Sequence, residues 1–149
     1  SNRLNVLLDD RAPARRHLNT FMQELERHQA RVEVRLSQGD VGAAGAALRD
    51  CLTMCRTLGD PAAMAMALAG MAGVAVRAGD AVRAARLLGA ADRLLDDVGS
   101  RLDRTDLVDR DRHAELARAA LGDPAWTEAY DAGRTLGAEE ATALALGEG

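Results

Sequence analysis

Apolar residues recur every three or four positions along most of this chain, the spacing that places them on one face of an α-helix. Between positions 14 and 38 they are Leu18, Phe21, Met22, Leu25, Val32 and Leu36. Arginine and glutamate crowd the other face, which indicates a solvated face with charges paired along the helix; a face that contacts a partner is the alternative. We predict one long helix over 14–38, preceded over 1–13 by an arm or by the end of an upstream helix.

A glycine followed by aspartate or serine recurs every twenty residues. The four pairs are Gly39-Asp40, Gly59-Asp60, Gly79-Asp80 and Gly99-Ser100. Glycine adopts the left-handed conformation that ends a helix, and the next side chain accepts hydrogen bonds from the first free N–H groups of the following helix. One helix per twenty residues and one hairpin per forty is typical of an α-hairpin repeat. We predict antiparallel helical hairpins over 14–100.

The regular spacing ends after the fourth pair. A charged segment leads into a predicted helix over about 105–121, and Asp123-Pro124 is a further start signal, because aspartate caps a helix and proline suits its first position. A last short helix over 138–146 gives about seven helices. The terminal units of a solenoid are commonly irregular because they cover the end of its core, so we interpret 101–149 as capping helices.

Composition favours closely packed helices in one domain. Hydrophobic residues make up 48% of the 149 positions, with alanine the commonest of them, and Phe, Trp and Tyr occur once each. Small side chains let helix axes approach to about 8 Å. Trp126 and Tyr130 lie four positions apart and therefore on one helix face. We expect them to pack into the terminal cap; an exposed contact patch is the alternative.

Charge excludes some classes of function. The net charge of −4 gives no support to nucleic-acid binding. All nineteen basic residues are arginine, and a phosphate-binding loop of the GxxxxGK[ST] type needs a lysine. No apolar run approaches the about 20 residues that cross a bilayer. We see no signal peptide and expect a cytoplasmic protein without membrane contact.

The candidate chemical groups do not form a recognisable catalytic or metal site. Cys51 and Cys55 lie one helical turn apart with no second pair, and we expect two small buried thiols on one helix face. Asp111, His113 and Glu115 are two positions apart, so on a helix they diverge, whereas a metal needs three or four converging ligands. We expect these three on a solvated surface. No serine lies in a GxSxG context. We predict no catalytic residue, no metal and no cofactor.

A family resemblance appears when Gly79 is placed at a turn between two helices. The packing positions of a tetratricopeptide repeat (TPR) are then occupied by Leu68, Met71, Ala72, Ala75, Ala84, Leu88 and Ala91. The region also resembles the C-terminal helical-repeat region of LuxR-like bacterial transcriptional regulators and related signal-transduction ATPases. This likeness rests on LGDPAAMAMALAGMAGVAVRAGDAVRAARLLGAADRLLDDVGS and, later, on ARAALGDPAWTEAYDAGRTLGAEEATALAL. It covers about 39–146.

The resemblance implies an all-α, TPR-like α-solenoid that acts as a non-catalytic protein-interaction or ligand-sensing module of a bacterial transcriptional regulator. The first helices of such hairpins line a concave face. The repeat positions place on this face Glu26, Gln29, Glu33, Met66, Ala69, Gly73, Val76 and Arg77. Gly73 would allow a close backbone approach, and Arg77 would bind a carboxylate through two hydrogen bonds. A solvated groove in a spacer is the alternative.

The expected partner is a protein or peptide, or else a small-molecule effector, with no direct nucleic-acid contact from this segment. A homo-oligomer stays open. Two other functions remain as alternatives. One is a freestanding TPR-like adaptor protein, and the other is a small all-α metal-dependent enzyme that uses the histidines and carboxylates.

Overall fold

The computed structural model describes residues 16, 19–20, 23, 36 and 38–147, and its regular structure within them is helical. The six helices of the continuous part are α1 (Val41–Leu58), α2 (Pro61–Arg77), α3 (Ala81–Val98), α4 (Arg104–Leu121), α5 (Asp123–Arg134) and α6 (Ala138–Leu146). No strand occurs in the described residues, so the predicted all-α class is confirmed. Most of the first predicted helix, over 14–38, and the arm over 1–13 lie outside the described residues.

The predicted glycine and aspartate turns bound the first three of these helices. The carboxylates of Asp40, Asp60 and Asp80 accept from the backbone N–H groups of Ala43, Ala63 and Arg83 at 3.4, 3.2 and 3.1 Å. The glycine before each aspartate has a φ between +64° and +88°, a conformation that costs other residues steric strain. The spacing rule therefore predicted these boundaries correctly.

Two later N-caps differ from the prediction, although α4 covers the predicted range of about 105–121. Gly99 ends α3 with a φ of +64°, but the residue that caps α4 is Asp103, three positions beyond Ser100. The prediction that Asp123 caps α5 is wrong, because Asp123 already lies in the first helical turn and Gly122 precedes it as the N-cap. A carboxylate within the first turn still faces the positive end of the helix dipole, so it stabilises the helix without capping it.

Helix α3 lies at the centre of the fold and packs against α2, α4, α5 and α6. Its tightest contact is with α5. A Cβ atom added at Gly89 would overlap the carbonyl oxygen of Tyr130, and one added at Gly133 would overlap the carbonyl oxygen of Arg86. The two helices therefore touch backbone to backbone, which only glycine permits at both positions.

Small side chains fill the core around α2 and α3, as the composition predicted. All seven residues at the predicted packing positions are buried: Leu68, Met71, Ala72, Ala75, Ala84, Leu88 and Ala91. Trp126 is 8% exposed and its ring stacks on that of Tyr130 with centroids 5.6 Å apart. The expectation that Trp126 packs into the C-terminal part is confirmed, while Tyr130 is half-buried.

The last helix folds back onto the first described ones. Helix α6 contacts α1, α2 and α3, whereas repeats of a simple solenoid contact only their neighbours. Arg49 donates to the carbonyl oxygen of Leu146 at 2.7 Å, and Arg83 donates to those of Leu144 and Ala145. These cations lie at the negative end of the α6 dipole, which stabilises the returning helix. Of the helices that the structure describes, none combines the length and apolarity needed to cross a bilayer.

Candidate functional site

The residues predicted for the binding face divide into two groups. Glu26, Gln29 and Glu33 lie outside the described residues. The other five lie on α2: Met66, Val76 and Arg77 are partly exposed, whereas Ala69 and Gly73 are buried. The accessible part of the predicted face within α2 therefore consists of two apolar side chains and one guanidinium.

The surface of Gly73 is covered by a side chain from α4. A Cβ atom at Gly73 would lie 2.5 Å from both Cε1 and Nε2 of His113. The imidazole of His113 is only 2% exposed, so the expectation of a solvated His113 is wrong. Its neighbours Asp111 and Glu115 are exposed, as their spacing predicted. Position 113 lies on the inner face of α4, where the missing side chain of Gly73 leaves room for an aromatic ring.

Arg77 joins the two helices through this histidine. Its Nη1 donates to the carbonyl oxygen of Gly73 at 3.3 Å and lies 3.1 Å from Nδ1 of His113. A guanidinium has no acceptor, so Nδ1 must accept this hydrogen bond and a neutral imidazole carries its proton on Nε2. The contact therefore fixes the orientation of both side chains and positions a cation on the α2 face.

The cysteine pair is part of the core, as predicted. Cys51 and Cys55 are both 0% exposed on α1, and their Sγ atoms are 4.0 Å apart. The hydrogen bond with Cys55, together with burial, raises the pKa of the Cys51 thiol. Among the described residues, no group of three or more His, Cys, Asp and Glu side chains is arranged to hold a metal ion.

A second polar cluster joins α3, α4 and α5, and the sequence analysis missed it. The Oδ2 atom of Asp92 lies 2.6 Å from Nη2 of Arg110 and accepts from the Tyr130 hydroxyl at 2.5 Å. One turn further along α3, Asp96 pairs with Nη2 of Arg134 at 2.9 Å. These partners are 18 to 38 positions apart in the chain, so no local spacing could have related them.

Burial and charge shift the pKa values in this cluster. Burial and the nearby Asp92 carboxylate raise the pKa of Tyr130, because both disfavour a phenolate there. Burial opposes the charged form of Arg110, but the Asp92 carboxylate outweighs it and raises the pKa of Arg110. At neutral pH the cluster therefore holds a neutral phenol, a carboxylate and a guanidinium. The hydroxyl of Tyr130 is committed to Asp92 and is no candidate for a general base.

Comparisons of the chain with protein-family models, with curated proteins and with solved structures found no significant match. The resemblance to the repeat region of LuxR-like regulators therefore stays a prediction that rests on the residues quoted for it.

Proposed function

We propose that this chain is a non-catalytic, TPR-like protein-interaction or ligand-sensing module of a bacterial transcriptional regulator, and that it acts in the cytoplasm. In this proposal the predicted helix over 14–38 pairs with α1 as the first hairpin of an α-solenoid. Helices α2 and α3 form the second hairpin, and α4 and α5 the third. The aspartate-capped turns and the burial of every predicted packing residue support this arrangement.

The observation that carries the proposal is the contact between α2 and α4. These are the first helices of consecutive hairpins in the proposed solenoid, and the imidazole of His113 lies directly on Gly73 between them. First helices that lie side by side form one continuous face, which is the surface that TPR-like arrays use for binding.

Arg77 is the proposed anchor on that face. Its guanidinium is already held by His113 and by the carbonyl oxygen of Gly73, so little side-chain entropy is lost when it binds a carboxylate. Met66 and Val76 supply partly exposed apolar surface on the same helix. An acidic or C-terminal carboxylate flanked by apolar side chains has the chemistry that this combination recognises.

Site-specific crosslinking tests the face. A photo-crosslinking amino acid in place of Met66, introduced in the producing organism, should capture a partner that mass spectrometry can identify. Arg77→Gln should then weaken binding of that partner at least about tenfold in a purified binding assay. Arg104→Gln is the matched control, because it removes the same charge from an exposed residue on another helix. Equal affinity of the Arg77 variant and the wild type for every captured partner would contradict the proposed face.

The size of the native gene product tests the second half of the proposal. An immunoblot of source-cell extract with an antibody against this domain should show a band several times larger than 15.8 kDa if the chain is a module of a regulator. A band near 15.8 kDa refutes the regulator assignment and leaves the freestanding adaptor.

A further inference from the structure

A cleft on the other side of α3 has the features of a small-molecule site. It has a volume of about 320 Å³ and lies between the C-terminal half of α3, the loop after it, the start of α4 and the end of α5. This volume is at the lower end of the range of about 300–1,000 Å³ that small-molecule pockets occupy. We refer to it as the α3–α5 cleft. None of its lining residues belongs to the α2 face that carries Arg77.

Three arginines line the cleft: Arg101, Arg110 and Arg134. Arg110 is paired with Asp92 at 2.6 Å and with Asp111 at 3.1 Å, so its guanidinium is held in position before any ligand arrives. Arg134 pairs with Asp96 at 2.9 Å in a more exposed contact. Such preorganisation reduces the entropy lost on binding. Across the described residues, Arg101 has no carboxylate partner, and its side chain is exposed at the rim.

The pairing of the lining arginines indicates the charge of the ligand. Arg110 is paired with Asp92 and with Asp111, which lies outside the lining, and Arg134 is paired with Asp96, so within the described residues Arg101 is the lining guanidinium without a carboxylate partner. A singly charged anion balances Arg101. A dianion such as hydrogen phosphate would meet the carboxylates of Asp92 and Asp96 with an excess negative charge.

Apart from Ser100, the remaining lining is largely apolar and would contact the body of the ligand. Leu95, Leu102 and Leu107 contribute to the wall, and Leu107 is 46% exposed although it is a large hydrophobic residue. The ring of Tyr130 adds an aromatic surface and is fixed by its stacking on Trp126. A ligand that covers Leu107 would remove apolar surface from water.

We propose that the α3–α5 cleft binds a small organic acid with one carboxylate on an apolar body. Arg101 and the guanidiniums of Arg110 and Arg134 bind the carboxylate, and the leucines and Tyr130 contact the apolar part. The proposal does not depend on the function proposed above, because the cleft shares no residue with the α2 face. Either one can fail while the other holds.

The test is a titration of the isotope-labelled 149-residue chain with 4-phenylbutyrate, followed by two-dimensional amide NMR. Saturable shifts are expected for residues around Arg101, Arg110 and Tyr130, with a Kd of about 0.1–1 mM for a ligand of this size. The uncharged 4-phenylbutyramide should bind at least about tenfold more weakly, because it lacks the charge that the arginines recognise. Inorganic phosphate should produce no saturable shifts at these residues.

Arg101→Gln is the decisive variant. Arg101 is exposed and unpaired within the described residues, so its replacement should leave the amide spectrum of the free protein largely unchanged while raising the Kd for 4-phenylbutyrate at least about fivefold. Arg104→Gln removes the same charge nearby and should not change the Kd. The proposal is overturned if 4-phenylbutyrate causes no saturable shift, if the amide or phosphate binds as well, or if both arginine variants behave alike.

Discussion

The backbone contact between α3 and α5 makes Gly133→Ala a sharp test of how this fold is packed. A Cβ atom at Gly133 would overlap the carbonyl oxygen of Arg86. The obstacle is main chain rather than the end of a flexible side chain, so α5 must move away from α3. Gly45 is the matched control: it is also buried within a helix, but a Cβ there would meet Cγ1 of Val74 at 3.5 Å, an ordinary contact.

The two substitutions should change stability in opposite directions. Alanine is favoured over glycine inside a helix by about 1 kcal/mol, which applies at Gly45 and to a smaller extent at Gly133, next to the last residue of α5. At Gly133 this gain is opposed by overpacking, which costs about 1–3 kcal/mol when side chains adjust and more when backbone must move. The shift of α5 also disturbs the burial of Trp126. We expect Gly133→Ala to lower the free energy of unfolding by about 2 kcal/mol and Gly45→Ala to raise it by about 0.5–1 kcal/mol.

Thermal unfolding followed by circular dichroism at 222 nm measures both effects. In a chain of this length 1 kcal/mol corresponds to about 2–4 °C, so Gly133→Ala should melt roughly 4–8 °C below the wild type. Urea unfolding gives the free energies themselves. A Gly133 variant that melts at or above the wild-type temperature would refute the backbone contact. Destabilisation of both variants to the same extent would show that the space around each glycine does not decide the outcome.

Three further predictions use single residues as probes. Trp126→Ala should lower the free energy of unfolding by about 3 kcal/mol or more, measured in urea, because it empties a buried aromatic site; little change would indicate a surface role. Tyr130 is the only tyrosine, so absorbance at 295 nm should report a titration midpoint above the ordinary tyrosine value of about 10 in the folded chain and near it in urea. The folded-state pKa of Tyr130 is the raised one, so the stability that Tyr130 contributes is complete below about pH 10. This stability is lost as the pH rises through the folded-state pKa, and Tyr130→Phe should remove that pH dependence. Cys51 and Cys55 should resist a thiol reagent in the native protein and react at once in urea; equal rates in both conditions would contradict their burial.

Helix boundaries were predictable where one short interaction decides them. Asp60 accepts from an N–H group three residues later, and Gly59 supplies the left-handed turn just before it. Both events involve neighbours in the chain, so residue type and spacing carry the information. At Asp123-Pro124 the sequence signal marked the start of α5 correctly but placed the N-cap one residue too late, because Asp123 lies in the first turn and Gly122 is the N-cap.

The site residues were harder to predict because their partners are distant in the chain. His113 was expected on the surface, since its sequence neighbours are charged and exposed. It is buried because α4 lies against Gly73, which is forty positions earlier. The helical period of α4 alone could not show that Gly73, on another helix, leaves space for the imidazole of His113. The contacts of Asp92 with Arg110 and Tyr130 were missed for the same reason.

The sequence by itself determined the helical class, most helix boundaries and the buried character of the packing residues. These follow from capping chemistry and from the 3.6-residue period, which act over a few residues. Only the tertiary structure decided that α6 returns to α1, that His113 packs on Gly73 and that three arginines line the α3–α5 cleft. These contacts depend on which helix faces approach each other. The shapes of the helix faces and the glycines that permit backbone contact determine which faces meet, and the spacing of neighbouring residues does not predict this.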